Sequence, residues 1–183
     1  MADQPSTAEV PVPEAKDEII KEAKRIEESL LHSSKGHFEA ARFWSSFHML
    51  IGIPVVVISA VAGAAAFKQF DASHVTAGVL SLVVAALSSV LTFLNPNAKS
   101  ATHQTAGNKY DSLMNKTRIF WSIECWLIDS EEVLTEKLKY LSEQKDTLNQ
   151  NCPGIPRLAY KRAKKGIAAG EAKYKVDVKS KKR

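Results

Sequence analysis

Two long uncharged stretches dominate the pattern of polar and apolar positions. Residues 43–67 and 72–94 contain no Asp, Glu, Lys or Arg. The hydrocarbon core of a bilayer, about 30 Å thick, needs about 20 helical residues to cross it, and each stretch supplies them. The pattern therefore predicts two transmembrane helices, at 43–67 and 75–94, joined by a short external connector at 68–74. The alternative is a hairpin buried in a soluble bundle, as in water-soluble pore-forming toxins. It is disfavoured because so short a chain has too few amphipathic helices to cover it.

Small and hydroxylated residues follow one side of each predicted span. At 100° per residue, Ala77, Ser81, Ala85, Ser88 and Thr92 lie within about 40° of one line. Lipid tails are as apolar as Leu, so helices in a bilayer associate by close backbone approach and interhelical hydrogen bonds. A two-helix protein has no other intramembrane partner than its own copies, so homo-oligomerisation is expected. The candidate residues for packing or for lining a pore, called here the small-residue stripe, are Ser59, Gly63, Ala77, Ser81, Ala85, Ser88, Ser89 and Thr92.

The hydroxyls of this stripe have two readings. In a ring of hairpins they would line a weakly selective pathway without a buried charge. Alternatively, each hydroxyl bonds to a carbonyl of its own helix at i−4, which needs no pore. Pro54 in the first span adds a predicted kink.

The remaining chain shows helical periodicity. Residues 14–42 are predicted to form an amphipathic helix, with Ile19, Ala23, Ile26 and Leu30 on one face and some weakening at 33–36. Residues 95–151 form one long helix or two, since Pro96 breaks the second span and Asp129 with Glu132 resembles a helix start. Apolar residues recur there at intervals of seven and predict a packing seam to the N-terminal helix or to neighbouring subunits, comprising Leu113, Phe120, Leu127, Leu134, Leu141 and Leu148.

These elements predict an all-α membrane protein. A two-transmembrane helical hairpin carries a cytoplasmic bundle formed by the N-terminal helix and the long helix after the second span. Lys68 is the only Lys or Arg residue in the predicted connector, whereas several Lys and Arg flank the spans on the other side. The positive-inside rule therefore places both termini in the cytoplasm of a multi-pass protein. Residues 1–13, with three Pro, are expected to be disordered.

Charge is concentrated in the C-terminal segment, 152–183. From Arg157 onward it holds eleven Lys or Arg against Glu171 and Asp177, in a chain of net charge +5. A basic segment near a cytoplasmic leaflet is attracted to anionic lipid, by about 1 kcal/mol per residue near the surface. Binding of nucleic acid is disfavoured because the segment contains no recognisable nucleic-acid-binding module. A solvated, flexible segment without a partner is the remaining alternative. The candidate lipid contacts are Lys161, Arg162, Lys164 and Lys165.

Catalytic chemistry finds no support. The sequence contains no HExxH, GxxxxGK[ST], GxGxxG or GxSxG motif. The five His are scattered without ligand partners at metal spacing, and Cys125 and Cys152 show no CxxC spacing. No enzyme, catalytic residue, metal or cofactor is expected. Protonation-dependent gating by His near the membrane boundaries is a secondary hypothesis.

Three segments of the chain carry a resemblance to a known family, which extends over residues 17–167. They are "ISAVAGAAAF" at the end of the first span, "LTFLNPNAKSATHQTAGNKYDSL" from the second, and the closing "CPGIPRLAYKRAKKGI". Together they resemble the SLATT family, the two-transmembrane effectors of microbial conflict systems. The most specific positions are Phe93, Leu94, Asn95, Pro96, His103, Ala106, Tyr110, Leu113, Pro153, Ile155, Pro156 and Tyr160.

The resemblance implies a pore-forming or membrane-perturbing effector of cell suicide or phage defence, often encoded beside second-messenger synthases or sensors. A cytosolic sensor or signalling protein is then an expected partner besides the bilayer and the protein's own copies. This chain carries no appended sensor, synthase or reverse-transcriptase domain, which leaves its trigger open. The alternative function is a non-conducting, membrane-anchored oligomeric scaffold that recruits cytosolic partners.

Overall fold

The computed structural model describes residues 15–66 and 71–174, with no side chains described for 71–74. Within these ranges every regular element is helical. The helices are α1 (Ala15–Ala66), α2 (Asp71–Leu94), α3 (Pro96–Ile119), the three-residue α4 (Cys125–Leu127), α5 (Glu131–Asn151) and α6 (Arg157–Ala168), with a π turn at Phe120–Glu124. The predicted disorder at 1–13 and most of the predicted connector lie outside the described residues.

Helix α1 runs without interruption for 52 residues. No interruption marks the weakening expected at 33–36, and Gly36 has a packing role. A Cβ added at Gly36 would lie 2.8 Å from Cδ1 of Ile155, so the missing side chain lets the segment after α5 approach the helix. Pro54 lies inside the same helix.

The break after the second apolar stretch is confirmed at Asn95. Its φ of 41° is left-handed, and its side chain accepts a hydrogen bond from the Ala98 amide at 3.3 Å. Pro96 takes the first helical position of α3, where no amide donor is required. Asn tolerates the left-handed conformation better than most residues and supplies the cap as well.

The predicted long helix is divided, as one of the two expectations had it. The π turn is followed by α4, and Ile128 is extended. Ser130, and not Asp129, then caps α5 by accepting from the Val133 amide at 3.4 Å. Lys16 Nζ donates to the Ile128 carbonyl at 3.3 Å and ties this corner to the start of α1.

The first half of α1 packs with α3, α5 and α6 and forms what is called here the bundle. Burial of apolar side chains is its main source of stability. Its core contains Ile19, Ile20, Ala23, Ile26, Leu30, Tyr110, Leu113, Met114, Phe120, Cys125, Leu134 and Leu141.

Four residues of the predicted seam lie in this core, Leu148 packs against it, and Leu127 is 77% exposed. The exposure of Leu127 has a local cause. A π turn adds one residue to a helical turn and rotates the residues after it by about 100°. Cys125 therefore occupies the buried side in place of Leu127.

The second half of α1 packs against α2 and forms what is called here the hairpin. The structure contains two candidate transmembrane helices, one in α1 and one beginning at Val75. Only 6% and 0% of their most apolar windows are buried. A soluble bundle would bury these surfaces, whereas the described part of this chain leaves them uncovered.

Candidate functional site

Large apolar residues form the contact between the two arms of the hairpin. Side chains with reduced exposure recur every three or four residues on one face of each arm. They are Phe47, Ile51, Val55, Ile58, Ala62 and Ala65 on α1, and Ala77, Leu80, Val84, Leu87, Leu91 and Leu94 on α2. The hairpin is thus held mainly by Leu, Ile and Val, with Ala62 and Ala77 allowing close approach toward its tip.

Most of the small-residue stripe lies off this contact face. Ala77 is buried against α1 and Ser88 is partly buried, whereas the remaining six residues of the stripe are exposed, namely Ser59, Gly63, Ser81, Ala85, Ser89 and Thr92. On α2 the exposed members lie about 100–180° around the helix from the contact face. A Cβ added at Gly52, Gly63 or Gly78 would meet no described atom within 4 Å. Among the described residues, these positions are therefore not used for close approach.

Four of the five hydroxyls in the stripe bond to their own helices. Ser59, Ser81, Ser89 and Thr92 each donate to the carbonyl at i−4, over 2.7, 2.8, 2.7 and 2.9 Å. These bonds commit the hydroxyl protons and leave the oxygens as acceptors. A row of acceptor oxygens attracts donors and cations more than anions.

A second site lies in the bundle, where α1 crosses α3. His37 of α1 and His103 of α3 are 1% and 5% exposed, and their Nδ1 atoms are 2.9 Å apart. Two imidazoles can share such a bond only if one ring donates its Nδ1 proton and the other accepts. A single proton therefore joins the two helices at this point.

Tyr110 extends the pair toward α5. Its ring stacks on His37 with centroids 5.3 Å apart and an interplanar angle of 18°. Its hydroxyl donates to Oδ1 of Asn149 at 3.0 Å. The network thus links α1, α3 and α5, with the two imidazoles and the Tyr110 ring buried and Asn149 at its exposed end.

Burial keeps this network neutral. It lowers the pKa of His37 to about 4, helped by the neighbouring His103, and it also lowers the pKa of His103. Burial, with a contribution from Cys152, raises the pKa of Tyr110 to about 12. At neutral pH both imidazoles and the phenol are therefore uncharged.

Sequence reasoning missed the histidine pair, since the two residues are 66 positions apart. The signal was their periodicity. His37 continues the buried face of Ala23, Ile26, Leu30 and Ser34, and His103 begins the buried row of Ala106, Tyr110, Leu113 and Thr117 on α3. Two of the positions that carry the family resemblance, His103 and Tyr110, belong to this network, and a third, Ile155, lies against Gly36, next to His37 in the chain.

The four basic candidates of α6 are all exposed. The opposite side of α6 buries Ala159 and Ala163, and α6 packs on α1. Folding therefore turns Lys161, Arg162, Lys164 and Lys165 outward. Among the residues that the structure describes, no group of three or more His, Cys, Asp or Glu could hold a metal ion.

Comparisons with protein-family models, with curated proteins and with solved structures found no match.

Proposed function

We propose that this protein forms homo-oligomeric pores or channels in a membrane. The observation that carries the proposal is the exposed part of the small-residue stripe. The described chain packs its hairpin with large apolar side chains and leaves Gly63, Ser81 and Ala85 exposed, off the contact between its two arms. Small residues favour helix association in lipid, so further copies of the hairpin are the fitting occupants.

The hydrogen bonds of these hydroxyls suggest which ions the proposed pore would conduct. Because the protons of Ser59, Ser81 and Ser89 are committed to backbone carbonyls, a lumen lined by this stripe presents oxygen acceptors and no charge. Such a lining favours cations over anions with weak selectivity.

Both termini and the bundle are proposed to face the cytoplasm, where α6 contacts anionic lipid through its exposed basic side. The resemblance to the SLATT family supports an effector of cell death or antiviral defence, which acts when a cytosolic signal reaches the bundle.

A second function, a non-conducting scaffold, is favoured by a different surface. Ile119, Ile123, Trp126 and Leu127 are between 47% and 77% exposed at the end of the bundle farthest from the hairpin. Exposed apolar side chains in such a group are typical of partner-binding surfaces. In the scaffold reading, this surface recruits a cytosolic protein to the oligomer.

The oligomer is tested by mass measurement of purified protein in mild detergent. Gly63→Leu and Ala85→Leu place bulk on the small-residue stripe and are expected to dissociate it. The matched controls are Ala60→Leu and Ala86→Leu, which add bulk at exposed positions off the stripe and are expected to retain the wild-type size. An unchanged mass in the first two variants contradicts the packing argument.

Conductance is tested by ion leakage from liposomes. The pore predicts cation leakage that is lost when Ser81 and Ser88 are both changed to Leu, and that persists in Ala86→Leu. A stable oligomer that releases no ion in any ionic or lipid condition contradicts the pore and leaves the scaffold.

A further inference from the structure

The histidine pair lies where the bundle meets the candidate spans. His37 precedes the uncharged stretch beginning at Phe43 by six residues, and His103 follows Leu94 by nine. Helix α1 continues from His37 into the first span, and α3 is joined to the second by the Asn95–Pro96 break. The separation of α1 and α3 at this crossing therefore bears on the spacing of the two spans at the same membrane face.

Close packing on both sides holds the crossing shut. Gly107 receives the ring of Phe38, and Gly36 receives Ile155, each so closely that a Cβ would lie under 3 Å from the neighbour. The two imidazoles are almost fully buried beside these contacts, so a charge formed there is poorly solvated.

Within the described part of the chain, no carboxylate is placed to neutralise an imidazolium. Burial and the other histidine are the causes that lower the pKa of His37. The Tyr110 ring on α3 stacks on His37, and the Asn149 amide on α5 and the Cys152 thiol both lie beyond it, beside the Tyr110 hydroxyl. The nearby charged residues line outer clefts of about 510 and 310 Å³, with Lys35, Glu39, Arg42 and Glu171 in the first and Lys109 in the second.

We propose that His37 and His103 form a proton-sensitive latch that holds α1 and α3 together at neutral pH and releases them on acidification. The shared bond needs one neutral acceptor nitrogen, so protonating both rings removes it and leaves two like charges 2.9 Å apart. Separation of α1 and α3 gives both imidazolium groups access to water. The claim that the latch regulates a pore rests on the proposed function. The claim that α1 and α3 separate on acidification does not.

The direction of the pH dependence follows from linkage. The pKa of His37 is about 4 in the closed bundle against an ordinary value of 6.5, so the open form binds more protons between these values. The closed form is therefore stable above this window and loses stability as the pH falls through it. Each proton taken up shifts the equilibrium toward the open form by up to tenfold per pH unit.

The test measures the distance between α1 and α3 beside the membrane. Nitroxide labels are attached to Ser46→Cys and Ala98→Cys, in a full-length background of Cys125→Ala and Cys152→Ser. Pulsed electron paramagnetic resonance is recorded in nanodiscs, diluted with unlabelled protein to remove contacts between copies. One short distance is expected at about pH 7.5, and a longer, broader distribution at about pH 4.5.

Variants assign the response. His37→Gln and His103→Gln keep a hydrogen-bonding side chain that does not protonate, and each is expected to weaken the pH dependence, which the double variant loses. His48→Gln on the exposed surface and His32→Gln elsewhere in the bundle are matched controls that retain it. If the Gln variants do not fold, the wild-type titration decides by itself, because it requires a movement within the window given above.

Three outcomes overturn the latch. The distance between the labels is the same at every pH, the pH-dependent change survives in the double Gln variant, or it disappears in a control variant. Leakage from liposomes is measured separately. If α1 and α3 separate but the liposomes do not leak, the pore proposal is contradicted and the latch is retained. If the liposomes leak but α1 and α3 do not separate, only the latch is contradicted.

Discussion

At Gly107 one missing side chain decides how closely two helices approach. A Cβ there would lie 2.7 and 2.8 Å from two ring carbons of Phe38, inside van der Waals contact. Overpacking of this kind costs about 1–3 kcal/mol. We expect Gly107→Ala to lower the free energy of unfolding by that amount in detergent, followed by denaturant titration of the helical circular dichroism.

Gly154 supplies the control for this prediction. No described atom lies within 4 Å of the position a Cβ would take there. Gly154→Ala is therefore expected to stay within about 0.5 kcal/mol of the wild type. Equal losses at Gly107 and Gly154 would mean that the close approach to Phe38 does not matter.

A single hydroxyl links the histidine pair to α5. Tyr110→Phe removes its bond to Asn149 and keeps the stacked ring, so the expected loss of stability is about 1 kcal/mol. A double-mutant cycle with Asn149→Ala measures the coupling, and Tyr140→Phe on the exposed side of α5 is the control. A coupling energy of zero would show that the bond contributes nothing.

Among the elements, α6 presents its basic residues to one side, and lipid contact of that side is testable. Lys164 is expected to react more slowly with an amine-acetylating reagent in nanodiscs of anionic lipid than in neutral ones, and high salt should abolish the difference. Lys139, exposed on α5, is the internal control and should react equally in both. Equal rates at Lys164 would exclude the lipid contact.

Local patterns predicted the elements well where the cause was local. The two apolar stretches, the break at Asn95 and the division before α5 were predicted from short-range signals, namely the absence of charge, Pro96, and Asp129 with Glu132, although the structure gives the cap of α5 to Ser130. The weakening predicted at 33–36 follows from the low helix propensity of Gly36, which carries no information on its packing role. Its partner Ile155 lies over a hundred residues away, and no local pattern reports such a contact.

The candidate sites divide in the same way. The small-residue stripe could be read from helical spacing, although the spacing could not say that the described hairpin leaves most of it exposed. The histidine pair depends on the register of α3 against α1, where the close contact of Gly107 with Phe38 is a tertiary contact that no local pattern reports. The π turn, which moves Leu127 out of the core, likewise had no recognised signal in the seven-residue pattern.

For the whole molecule, the two arms of the hairpin are attached to the bundle by different joints. Helix α1 is one rod of about 78 Å, from the bundle to the end of the first span. Pro54 lies inside this helix and removes one backbone hydrogen bond there, so a roll or tilt of the bundle is expected to be transmitted directly as far as Pro54. The second arm meets the bundle at Asn95, where a single left-handed residue interrupts the helix. A continuous helix beside an interrupted one predicts unequal movement of the two arms, so a gating motion should be sought first as a displacement of α2 about Asn95, with the part of α1 before Pro54 following the bundle.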